Sequence, residues 1–166
     1  MPSETRLDLD AFIPYRLSVL TNRVSSAIAR HYSDRFDLSI PEWRVMAVLG
    51  QAPGLSARDV AARTAMDKVQ VSRAVQSLLA AKRLTRTAHS QDGRVAHLSL
   101  SAKGQAIYND VVPLALGLEK QFLSVLNLAE QKSLDALLSK LSRHMDRMTA
   151  TPVADFRAEP TAAVPG

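Results

Sequence analysis

The stretch from Ser56 to Leu100 admits few folds, because it reads as two short helices a two-residue step apart, followed at once by a hairpin. Ser56-Ala-Arg-Asp59 puts a capping hydroxyl before a first turn that contains an acid, and predicts a helix to about Thr64. Only Ala65 and Met66 precede the next start, Asp67-Lys-Val-Gln70, and the stripe Val71, Ala74, Val75, Leu78, Leu79 carries that helix to about Lys82. Two short helices on a tight turn form a helix-turn-helix. Leu84–Ser90 and Val95–Leu100 then alternate around Gln91-Asp-Gly-Arg94, and Asp-Gly between alternating segments is the strongest short-range hairpin signal. A lone hairpin is marginal in water, so this one should pack on the helices through Leu84, Leu98 and Leu100.

The flanks are helical. From Phe12 to Arg35 apolar residues recur as Ile13, Leu17, Leu20, Val24, Ala27, Ile28 and His31/Tyr32, with Pro14 tolerable in the first turn. Ser39-Ile-Pro-Glu42 has the form of a capping box and opens a second helix that stops at Gln51-Ala-Pro-Gly54. Ser101 starts a helix to about Leu126, with Gly104 where a full box would place Glu or Gln, and Pro113 should kink it. Asn127 starts the last helix, which lines up Leu134, Leu137/Leu138, Leu141, Met145 and Met148 in a stripe that needs a partner. The fold class expected is mainly α with a small β-hairpin wing. The winged helix-turn-helix spans 37–104, the flanking helices 12–36 and 105–149, a flexible N-terminus 1–11 and a disordered, proline-containing tail 150–166.

Composition narrows the function. Scarce aromatics (5%) and six glycines favour helices over sheets, and the absence of cysteine excludes disulfides, thiolate metal sites, cysteine nucleophiles and thiol redox sensing. Residues Met1–Asp10 hold no apolar run, and no later segment approaches the roughly 20 apolar residues of a membrane span, so a soluble, cytoplasmic protein is expected. The net charge of +5 is unevenly placed: Leu55–Lys103 holds nine Lys/Arg against three Asp, a local +6, while the rest is close to neutral. A basic middle between neutral flanks is the footprint of a module that meets phosphates, although a charge run is also what a solvated face looks like.

At 100° per residue, the second helix of the pair places Val71, Val75, Leu78 and Leu79 on one side and Val69, Gln70, Arg73, Gln76 and Ser77 on the other. The first side packs and the second faces out. Arg and Gln are the side chains that pair bidentately with guanine and adenine edges in a major groove; Lys68 and Ser72 are placed for phosphates, and Ser56 joins them from the preceding helix start. Val69 is either an idle surface valine or a contact for a thymine methyl. Arg94, at the hairpin tip, reaches a minor groove or a phosphate unless it pairs with Asp92, and Arg86 on the first wing strand faces the same region.

Asp92-Gly-Arg94-Val-Ala-His-Leu-Ser-Leu100-Ser101 resembles the wing pattern of the MarR family, D-x-R followed by L-[ST]. Met66-Asp-Lys-Val-Gln-Val-Ser-Arg-Ala-Val75 resembles that family's recognition helix, and Pro41-Glu-Trp-Arg-Val45 the start of its second helix. With the order of elements, the resemblance covers roughly Phe12 to Met148. It implies a homodimeric repressor whose terminal helices pack together as the dimerisation region. Two recognition helices would then sit in successive major grooves of a pseudo-palindromic operator, about one helical turn apart. It also implies a small-molecule effector, such as an aromatic acid or its thioester, held between the dimerisation helices and the winged domain. By position Arg16, Trp43 and Arg44 would line that pocket, although Arg16 also suits an interface and Trp43 a core.

Other chemistries find no residues. His31 lies on an apolar stripe, as a buried or interface histidine does, and His89, His97 and His144 are spread over other elements, which leaves no metal site and no cofactor to expect. There is no G-x-S-x-G, H-E-x-x-H or Walker loop and no catalytic constellation, so no enzyme is expected. The alternative is a helical protein-interaction adaptor without DNA binding.

Overall fold

A computed structural model of the chain describes residues 6–88 and 96–150. Seven helices and one hairpin follow in the order α1 (Ile13–Ala29), α2 (Ser33–Phe36), α3 (Ile40–Gln51), α4 (Ala57–Thr64), α5 (Lys68–Ala80), β1 (Leu84–Ala88), β2 (Ala96–Leu100), α6 (Ala102–Leu123) and α7 (Leu128–Ala150). They fall into two compact units, one ending at Glu119 and the other beginning at Lys120. The N-terminus expected to be flexible is described from Arg6, and the tail expected to be disordered lies, beyond Ala150, outside the described residues.

The first expected helix is two. α1 ends at Ala29, where His31 N and Tyr32 N turn back to Ile28 O and Ala29 O (both 3.0 Å) in the tighter i→i−3 pattern. Beyond that turn Tyr32 lies in the core at 1% exposure, and α2 starts at Ser33. His31, expected as a buried or interface histidine, is exposed in the single chain and so is not a core residue. α3 opens as expected: Ser39 N and Oγ donate to Glu42 Oε2 (both 2.7 Å), and Glu42 N donates back to Ser39 Oγ. α6 remains helical through Pro113.

The core of the first unit is built by the apolar faces of the central helices: Val45, Met46 and Leu49 of α3, Val60 of α4, and Val71, Ala74, Val75 and Leu78 of α5. Leu84 and Leu98 of the hairpin join it, and Leu100 packs at its edge. The strands pair antiparallel from Leu84↔Leu100 to Ala88↔Ala96. A third edge, absent from the sequence reading, comes from the α3–α4 loop. Leu98 N donates to Leu55 O (2.9 Å), and Gly54 N donates to Leu98 O (2.9 Å) and Ser99 Oγ (3.1 Å). His97 Nδ1 donates to Gly54 O (2.5 Å). Gly54 holds φ +81°, where a side chain would be strained. The wing is thus anchored to the helix-turn-helix at its base as well as through its leucines.

The outer helices are different. No residue of α1 is buried, and Ile13, Tyr15, Leu17 and Leu20 stand exposed along it. In the second unit, Leu137, Leu138, Leu141 and Met145 of α7 are likewise exposed. Among the described residues no single helix is long and apolar enough to cross a membrane.

Candidate nucleic-acid interface

The presentation of α5 is fixed at both ends. At its start Asp67 Oδ1 accepts from Gln70 N (2.8 Å), the usual satisfaction of an orphan first-turn donor. At its end Arg83 N donates to Leu78 O (2.8 Å) and Lys82 N to Leu79 O (3.0 Å), a Schellman motif. Between these caps the buried residues Val71, Ala74, Val75 and Leu78 hold the helix down, so that Lys68, Val69, Gln70, Ser72, Arg73 and Gln76 all lie exposed on its outer side. Val69, at 59% exposure, is an apolar side chain with no cover on a polar face.

Ser77 is exposed with the expected outward set but has a partner of its own. Its Oγ donates to Glu42 Oε1 (2.5 Å), which ties α5 to the start of α3. Burial pushes the Glu42 carboxyl up, but hydrogen bonds from Ser77 and Ser39 and the nearby charge of Arg83 outweigh it and hold the group below the ordinary glutamate value. A hydroxyl on a polar face is legible as a surface residue; its carboxylate partner, 35 positions away in sequence, is not.

A groove runs between the start of α4, the outer side of α5 and the wing. It gathers Ser56, Ser72, Gln76 and Arg86 with one residue the sequence reading passed over, Arg58. Arg86 reaches it because the period of two puts Arg86 opposite Leu98, on the sheet face turned toward the helices, while its own position in the strand leaves it exposed. Ser56 contributes from a capping box: its N and Oγ donate to Asp59 Oδ2 (3.2 and 2.6 Å), which keeps that carboxyl below its ordinary range. Arg58, exposed in the first turn of α4, had a readable signal in its place within the basic segment. Arg94 lies outside the described residues.

The groove therefore sets two arginines and two hydroxyls beside the amide of Gln76. Those are the groups that bind phosphates and read base edges in DNA.

Among the described residues, Arg16 lies apart from the other two expected effector residues, Trp43 and Arg44. Trp43 is half-buried between Tyr32 (ring centroids 5.7 Å apart) and Tyr108 (6.0 Å), and Arg44 Nη2 donates to Ser25 Oγ (3.2 Å). Burial pushes the Tyr32 phenol up to about 12 in spite of Arg44. Arg16 instead lines an open groove on α1 with Leu9, Asp10 and Ile13, a groove that neither Trp43 nor Arg44 lines. It sits nine residues before Ser25, roughly 14 Å along the helix at 1.5 Å per residue.

A sequence profile described as the MarR family matches residues 36–95, which takes in α3, the helix-turn-helix and the first wing strand. The HTH-type transcriptional regulator BilQ of Clostridium symbiosum is 34% identical over 95 residues, covering 57% of this chain and 66% of BilQ. The crystal structure of a MarR/EmrR family transcriptional regulator from Acinetobacter sp. ADP1 superposes with a TM-score of 0.78 at 29% identity, over 85% of this chain and 99% of the other. BpsR of Bordetella bronchiseptica, whose DNA binding is regulated by 6-hydroxynicotinic acid, gives a TM-score of 0.65 at 26% identity, over 76% and 98%. These relatives are regulators, not enzymes, and nothing in them favours a DNA-independent adaptor.

Proposed function

We propose that this chain, which belongs to the MarR family of winged helix-turn-helix transcriptional regulators, is a homodimeric repressor that reads a pseudo-palindromic operator through α5 and grips it with the wing. The observation that carries this reading is the composition of one continuous surface. Every reading residue of α5 is exposed on the same side, and Ser72 and Gln76 share a groove with Arg58 and Arg86. In this role Arg73, Gln70 and Gln76 meet base edges, Val69 packs on a thymine methyl, and Lys68, Ser72, Ser56, Arg58 and Arg86 meet phosphates. Arg94 extends the contact to the neighbouring minor groove.

The dimer rests on the uncovered apolar faces. A helix such as α1 with no buried residue, and one such as α7 with leucines and methionines exposed along it, gain stability only when those faces are covered. A second copy supplies the cover and duplicates the reading surface, with half-sites about one helical turn apart. For the effector, BpsR offers a precedent in an aromatic acid. The half-buried Trp43 and Tyr108, with Arg44 close by, supply aromatic surface and a cation for such a ligand, and Arg16 belongs to the interface instead. Ligand binding there would lower operator affinity.

Selection of random duplexes with the full-length protein tests this function. Enrichment of an inverted repeat with two half-sites a turn apart is expected. A pool that converges on no sequence, or on a single unrepeated site, contradicts it.

A further inference from the structure

We infer that Arg83 is a positioning residue that fixes the recognition helix against the α1–α2 connector, and so sets the half-site spacing the protein accepts; the inference rests on the dimeric DNA-binding reading above. Arg83 is the charged residue that is buried among the described residues, at 8% exposure. Its guanidinium crosses to the end of α2, where Nη1 donates to Asp37 O (2.9 Å) and Nη2 donates to Phe36 O. These are the last carbonyls of the short helix through which the chain passes from α1 into the winged domain.

The backbone of Arg83 is held just as firmly. Its N–H closes the Schellman end of α5, its carbonyl accepts from Ser101 N (3.0 Å), and a side chain at Gly104 would run into that carbonyl, so α6 packs directly on it. Ser101 Oγ adds a bond to Lys82 O (2.7 Å) and Lys103 Nζ one to Ala81 O (3.1 Å). Four elements, α2, α5, β1 and α6, thus meet at one residue.

Stability alone does not account for an arginine here. Burying a guanidinium whose Nε has no partner is costly, and an apolar side chain of the same length would fill the space at least as well. What the fork adds is direction: two bonds fix where the end of α2 sits relative to the end of α5. Because α1 leads into α2 and carries an uncovered apolar face, that angle governs how far apart two recognition helices stand in the dimer. One base pair of spacing turns a half-site by about 35°, so a small slack at this junction is read directly as tolerance of wrong spacings.

The test uses full-length protein, the operator recovered by selection, the same operator lengthened or shortened by one base pair between half-sites, and a single half-site duplex. Arg83→Met, checked for folding by thermal denaturation, should bind the half-site within about twofold of wild type while its preference for the native spacing falls at least about fivefold, the lower end of ordinary coupling between sites. Arg83→Lys, which keeps the charge but loses the fork, should fall between. Should Arg83→Met not fold, Arg83→Lys decides alone. Spacing preference equal to wild type in a folded variant overturns the inference. So does a loss of equal size on half-site and full operator, which would mark Arg83 as structural only. Absence of any spacing preference in the wild type overturns the dimeric reading as well.

Discussion

Lys82 occupies the left-handed position that ends α5, at φ 57°, where a helix most often places glycine. The Schellman bonds on either side hold it there, and its side chain is exposed, so the strain is paid without a visible return. Left-handed geometry costs an ordinary residue about 1–2 kcal/mol, and glycine's extra unfolded-state freedom costs about 0.5–1 kcal/mol, so Lys82→Gly should stabilise the fold by about 0.5–1 kcal/mol in urea denaturation. Unchanged or lower stability would show that the backbone there is not strained. Glu42 makes the pH-dependent prediction. Its carboxyl is lowered in the folded state, so its contribution is complete above the unfolded-state value and is lost as pH falls through the lower folded value. Acid titration of the wild type should therefore show a loss of stability on the acid side of the ordinary glutamate range, and Glu42→Gln should flatten that limb; identical acid limbs would refute the role given to the Ser77–Glu42 bond.

Elements were legible where one period governed them. The stripe Val71–Leu79 placed α5 and its outer residues, the Ser39 box and the Ser56 capping hydroxyl placed the starts of α3 and α4, and the alternation around Asp92-Gly93 placed both wing strands. What escaped was set by contacts distant in sequence. α1 stops at Ala29 and Tyr32 beyond it packs against Trp43, the hairpin gains an edge from Leu55, and Arg83, which reads as one more cation of the basic segment, is buried by the end of α2. At this scale the reading helix and the wing make different predictions. Arg73→Ala should cost about 1–3 kcal/mol at one base position while leaving the fold intact, seen as relaxed preference across operator variants. Arg94→Ala should weaken binding to all sequences alike. Unaltered preference in the first case, or unaltered affinity in the second, would remove that residue from the interface.

The molecule as a whole divides its labour between a basic winged domain and helices whose apolar faces stay uncovered in one chain. Sedimentation at micromolar concentration should give a dimer, and a stable monomer would leave those faces unexplained. Whether this chain reads DNA by sequence is tested by its affinity for the selected operator and for a scrambled duplex across a salt series. Log affinity should fall linearly with log salt, Lys68→Ala should reduce the slope by about 0.9 for the phosphate contact it loses, and the operator should remain favoured over the scrambled duplex throughout. Binding that does not respond to salt, or that never distinguishes the two duplexes, would show that α5 and the wing do not read an operator.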